Sequence, residues 1–235
     1  MDYWNVENFN GLKDIANRYS AEAAFVDFAQ YCLLKEQGLK KPALSAINRF
    51  IALTSTLPLA EQRDIVLHLS QLAWRHRHVH QLIAYPLHQY LSRMLSDWVA
   101  TVPSQAEPYR WLGYFSQNPE WFNKALQYDA TDQISLQQLI SEALAWVDHQ
   151  THHLYESRFI GTVDQAQQSL EQAAGYIARL TSVTQQQQLS GQCAYYQRLI
   201  HCWQQYQQTD QSTLFVQWCT EQGESFSFDQ AYYYQ

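Results

Sequence analysis

Apolar residues recur along this chain at steps of three and four, with short polar interruptions between the runs. That spacing predicts helices lying against one another on one face each. Residues 1–19, with Tyr3, Trp4, Phe9 and Tyr19, read as one or two short helices broken at Gly11, their aromatic bodies capping the end of a helical stack. Ser20 is the expected N-cap of a helix over 21–37, where Ala21, Phe25, Phe28, Ala29 and Cys32 form a stripe and Gly38 closes it. Lys40-Lys41-Pro42 leads into a helix with Leu44, Ile47 and Ile51 on one face. Small Ala43 and Ala46 would let its neighbour approach closely, so the two helices make a first hairpin. After a turn from Thr54 to Pro58, a helix over 59–75 buries Ile65, Leu69, Leu72 and Ala73. Pro86 sets off another over 87–100 with Leu87, Leu91, Leu95 and Trp98.

The middle of the chain, 108–161, carries the best helix-turn-helix signal. Asn118-Pro119-Glu120 is a helix start, since Asn caps free amides, Pro fits the first helical position and Glu suits the positive end of the dipole. Trp121, Ala125 and Tyr128 share a face. Asp129-Ala130-Thr131-Asp132 breaks the pattern, and Thr131 or Asp132 caps a second helix carrying Leu136, Leu139, Ile140, Ala143 and Val147. A four-residue polar turn makes the two helices antiparallel neighbours.

The run FNKALQYDATDQISLQQLI resembles the second half of a tetratricopeptide repeat, with Phe122, Ala125, Leu126 and Tyr128 where that motif packs its second helix. Ala130 stands where the repeat usually has Pro, and Trp111-Leu112-Gly113 resembles part of the first helix but lies too close for a full repeat of about 34 residues. The wider layout, with Gly-Leu-Lys-Lys near residue 40, Pro-Tyr-Arg-Trp-Leu-Gly in the middle and Thr-His-His-Leu before Phe-Ile-Gly, resembles uncharacterised bacterial helical proteins. The first resemblance implies an α-solenoid; the second brings no known activity and no known catalytic residues with it.

Beyond Gly161-Thr162, helices are expected near 163–181 (Val163, Ala166, Leu170, Ala174, Ile177), 186–208 (Leu189, Ala194, Tyr195, Leu199, Cys202, Trp203, Tyr206) and 211–221 (Leu214, Phe215, Trp218). The tail, with Phe226, Phe228 and Tyr232-Tyr233-Tyr234, either folds back onto the array or docks a partner. The expected architecture is all-α: an irregular array of antiparallel helical hairpins, tetratricopeptide-like, in one domain spanning 1–235 with a sub-boundary possible in the Pro-containing stretch 102–108.

Composition agrees. With 7 Gly and 6 Pro in 235 residues the chain has few of the turns a β-sandwich needs, and 46% hydrophobic content is enough for a core. A net charge of −7 argues against phosphate-driven nucleic-acid binding and permits a basic protein partner. Cys32, Cys193, Cys202 and Cys219 form no Cys-x-x-Cys pair and read as buried thiols. No run of about 18 apolar residues is present and MDYWNVENFN lacks signal-peptide features, so the expected location is the cytoplasm.

Two histidine groups are candidates for chemistry. If the helix continues, His149 and His153 share a face, and with His152 and Glu156 they offer ligands for zinc or iron. Gln150 stands where the zinc-protease pattern needs its Glu, and the plain alternative is a helix C-terminus where imidazoles meet free carbonyls. His76, His78 and His80 alternate with Arg75 and Arg77, a combination that repels a cation and suits an anion; the plain alternative is a solvated basic turn. No Gly-x-Ser-x-Gly, P-loop or dinucleotide fingerprint occurs. Among 8 Trp and 16 Tyr, the side chains Tyr114, Trp146 and Tyr196 fall off the apolar stripes and are the expected exposed anchors for a partner. The leading expectation is therefore a non-enzymatic protein-interaction module with no cofactor, and the rival is a metal-dependent enzyme built on the His149 group.

Overall fold

A computed structural model describes residues 3–228; the side chains of Tyr3 and Trp4 and the aromatic triplet Tyr232-Tyr233-Tyr234 lie outside what it describes. Among the described residues the chain is all-helical and has no strand. It divides into two compact units, one ending at Asn118 and the other beginning at Pro119. The 102–108 stretch is thus an internal connection of the first unit.

The first unit holds α1 (Tyr3–Tyr19), α2 (Val26–Glu36), α3 (Lys40–Thr54), α4 (Leu59–Arg75), α5 (Tyr85–Thr101) and α6 (Ala106–Ser116). α1 packs on α2, α2 on α3, and α5 on α3, α4 and α6. Three expectations are corrected here. Gly11 lies inside α1 and does not break it: a Cβ at that position would come within 2.3 Å of Val79 Cγ2, so close packing outweighs the roughly 1 kcal/mol helix cost of glycine. Ser20 does not cap α2; its hydroxyl donates to Asn17 O, and a 3-10 turn, Ala23–Phe25, precedes the helix. The buried face of α3 is Ala43, Ala46, Ile47 and Phe50, whereas Leu44 is exposed, because the two alanines let α2 approach. Gly38 closes α2 in the left-handed conformation (φ 75°), and α4 has both the bounds and the core face that its spacing predicts. The core is aromatic: Tyr19, Phe25, Phe28 and Phe50 meet edge-on or tilted at centroid distances of 5.3 to 6.3 Å.

The second unit holds α7 (Pro119–Tyr128), α8 (Gln133–Thr151), α9 (Val163–Ile177), α10 (Val183–Tyr206) and α11 (Phe215–Glu221), with a 3-10 turn His152–Glu156 after α8. α8 packs on α7, α9 and α10, and α10 on α9 and α11. Asp132 caps α8, accepting from Ile134 N–H at 3.3 Å. Thr162 and Gln165 form a reciprocal capping box on α9, and Ser182 caps α10. Phe122, Ala125 and Leu126 are buried, whereas Tyr128 is 46% exposed. On α10, Leu199, Cys202, Trp203 and Tyr206 are buried as expected, but nearer its start Cys193 and Tyr196 turn inward in place of Ala194 and Tyr195. Phe226 packs on Tyr195 and Phe228 on Phe215, so the tail up to residue 228 folds back. All four cysteines are buried and unpaired.

Candidate functional site

The end of α8 gathers three of the second unit's four histidines, His149, His152 and His153, with Asp148 and Glu156. Thr151 Oγ1 donates back to Val147 O (2.9 Å), a bond that competes with the helix's own ladder. The carbonyl of Gln150, which an unbroken helix would offer to residue 154, accepts from Ile160 N–H at 2.9 Å instead. Ser157, left-handed at φ 57°, completes the reversal, with its N–H on Leu154 O. The helix therefore stops at Thr151 and tightens into a 3-10 turn, and His149 and His153 do not share an α-helical face.

A run of rings results. The indole of Trp146 lies 5.6 Å from the His149 ring, His149 5.4 Å from His152, His152 4.0 Å from His153, and His153 6.1 Å from Tyr155. His152 Nδ1 sits 2.7 Å from His149 O; a carbonyl only accepts, so Nδ1 carries the proton. His153 Nδ1 and Glu156 Oε2 are 3.3 Å apart, without the alignment of a hydrogen bond. Gln150 is fully buried and faces the core, away from these rings. Among the described residues no three His, Cys, Asp or Glu side chains converge as a metal-binding group, and His149, His152, His153 and Glu156 follow one another along a ridge.

Beside the ridge, Asp148, His152, Tyr195, Tyr196 and Phe228 line a cleft of about 220 Å³. Tyr196 is 7% exposed and donates its hydroxyl to Asp148 Oδ1 at 2.8 Å. Burial raises its phenol pKa, and the Asp148 carboxylate raises it further. The three expected anchors thus part company. Tyr196 is buried, because α10 turns that phase toward α8. Tyr114 is half-buried, its hydroxyl donating to Ala73 O (3.2 Å) and its ring set edge-on to Trp74 and Trp111. Trp146 alone stands out, 50% exposed.

Comparison with known proteins finds no matching family model, no matching curated protein and no matching solved structure. Function has to be argued from the residues themselves.

The second histidine group lies in the first unit. His76 is the C-cap residue of α4 and half-buried, and its ring lies 5.8 Å from that of His78. His76 and His80 line one cleft with Arg77, and His88, Tyr114 and Phe115 line it too. Sequence reasoning missed His88, Phe115 and this whole pairing. His88 falls among the apolar positions of α5, and nothing in its neighbours marks it as facing the 76–80 turn. No helix among the described residues is long and apolar enough to cross a membrane.

Proposed function

We propose that the chain is a non-enzymatic protein-interaction module of a bacterial cytoplasm, doing adaptor, chaperone-like or toxin-neutralising work, and that its docking edge is the ridge from Trp146 to Tyr155. In this reading the hairpins form an irregular tetratricopeptide-like array. One observation carries it: a half-exposed tryptophan heads an unbroken run of rings on the outside of α8. Large rigid aromatic side chains supply interface energy at low entropic cost, and tryptophan is the commonest hot-spot residue.

Charge points to a basic partner. Residues 119–235 contain 4 Lys or Arg against 12 Asp or Glu, so the whole charge excess of the chain sits on the unit that bears the ridge. Such a field steers a cationic surface inward, and an arginine or lysine of the partner gains further on the indole face.

The test uses the full chain as bait, followed by a binary titration of any partner it retains. The Trp146→Ala variant weakens that partner by about 30-fold or more, the loss typical of a tryptophan hot spot, while its stability changes by less than about 0.5 kcal/mol. Affinity of the unaltered chain falls steadily with added salt. Equal affinity in the variant, or no partner surviving across a salt series, contradicts the proposal.

A further inference from the structure

We propose that the first unit has a second, separate binding site, the cleft lined by His76, Arg77, His80, His88, Tyr114 and Phe115, and that it takes a compact organic oxyanion: a carboxylate or phosphate ester on a small apolar body. The cleft encloses about 230 Å³, room for roughly eight water-sized groups, which is small for a drug-like ligand and large for a bare ion.

The walls divide the work. Val79 and Leu82 are buried beneath it and, with the ring of Phe115, give an apolar floor. The polar lining has three imidazoles and one guanidinium and no carboxylate. The Arg77 guanidinium is held over the Trp74 ring at 5.1 Å, and it makes no hydrogen bond or ion pair among the described residues. His88 Nε2 lies 3.2 Å from Phe115 O, so that nitrogen carries a proton, and Nδ1 becomes a donor only when the ring is charged. The end of α4 brings negative partial charge to the same place. Two of its carbonyls are already answered: Leu72 O accepts from His76 N–H, and Ala73 O from the Tyr114 hydroxyl.

The cleft is preformed. The 76–84 connection is pinned to two helices through Gln81, whose N–H donates to Asn8 Oδ1 and whose carbonyl accepts from the Tyr31 hydroxyl. Val79 meets α1 at Gly11, where no larger residue fits. A cation is disfavoured by the same groups that favour an anion. Burial lowers the His76 pKa, and His78, Arg18 and Arg75 lower it further, with Asp14 opposing. An anion seated there reverses that bias, so binding takes up protons.

The test is calorimetric titration of the full chain with benzoate and phenyl phosphate, against benzamide and acetate as controls for the charge and for the apolar body. Benzoate stays ionised between about pH 8 and 5.5, so its affinity should rise as pH falls through that range and His76 takes up a proton. Arg77→Gln, and separately His80→Asn, should each weaken benzoate roughly tenfold, with an unchanged circular-dichroism spectrum. Phenyl phosphate binding while benzoate does not narrows the ligand to phosphate esters and supports the site. Benzamide binding as tightly as benzoate, acetate binding as tightly as benzoate, or affinities unmoved in both variants overturns it, as does the absence of any binding. The Trp146→Ala variant should bind benzoate like the parent, which separates this site from the docking ridge.

Discussion

The two units are nearly equal in length and are held together by different means. Residues 1–118 contain 11 Lys or Arg, 10 Asp or Glu and 8 Gln; residues 119–235 contain 4, 12 and 24. Among the described residues of the first unit five guanidinium groups lie over aromatic rings, Arg18 on Tyr19, Arg63 on Trp98, Arg77 on Trp74, Arg93 on Tyr90 and Arg110 on Trp111. In the second, among the described residues, only Arg198 on Phe226 does so. One unit balances its charges and uses its cations as packing; the other leaves a surplus of carboxylates and surfaces its helices with amides. The glycines sharpen the contrast. Gly11, mid-helix in the first unit, has a neighbour's methyl group where its side chain would be, whereas Gly175 and Gly191, mid-helix in the second, have nothing within 4 Å. Tight interdigitation fixes the first unit, and capped helices with looser surfaces suffice for the second.

The largest expected effect is on the aromatic core of the first unit. Phe28 is fully buried among Tyr19, Phe25, Tyr31 and Phe50. Phe28→Ala should cost about 3–5 kcal/mol in urea unfolding, and a loss under about 1 kcal/mol would mean this cluster is not what holds α1 to α3. Gly11→Ala comes next. The clash with Val79 costs about 1–3 kcal/mol and helix propensity returns about 1, so a net loss of up to about 2 kcal/mol is expected. A stabilised Gly11→Ala protein would erase the difference between the units.

Removing the buried hydroxyl in Tyr196→Phe should cost about 1 kcal/mol at neutral pH, read from the shift of the urea midpoint. Its pH dependence has a definite sign. The phenol pKa is raised in the folded chain, so its contribution is fully present below about pH 10, the unfolded value, and is lost as pH climbs from there toward the folded value. The variant should lose stability less steeply than the parent above pH 10; identical alkaline slopes would deny the Asp148 contact its role. Smallest and opposite in sign are Gly175→Ala and Gly191→Ala, each expected to raise stability by about 0.5–1 kcal/mol in the same titration.

Much of the helical layout was legible in the chain because local signals and packing agree there. Residues 59–75 repeat their apolar positions without interruption, and Asn118-Pro119 and Asp132 mark helix starts by mechanisms that need no tertiary context. Gly11 misled because propensity speaks only of the isolated helix, and Val79 is 68 positions away. Leu44 and Tyr196 misled because α3 and α10 carry two apolar stripes each, and which one turns inward depends on the neighbour. The histidine spacing misled because Ile160 takes the Gln150 carbonyl from the helix, a competition set by a chain reversal ten residues on. The charge difference between the halves was open to counting, but acquires meaning only once the division after Asn118 is known.

The central claim is that a partner docks on the Trp146 ridge of the acidic unit. Amide hydrogen exchange on the full chain, with and without a retained partner, tests it most directly. The account predicts new protection across residues 143–156, abolished in Trp146→Ala, with the first unit unchanged. Protection appearing only within residues 1–118, or persisting undiminished in the variant, would contradict it.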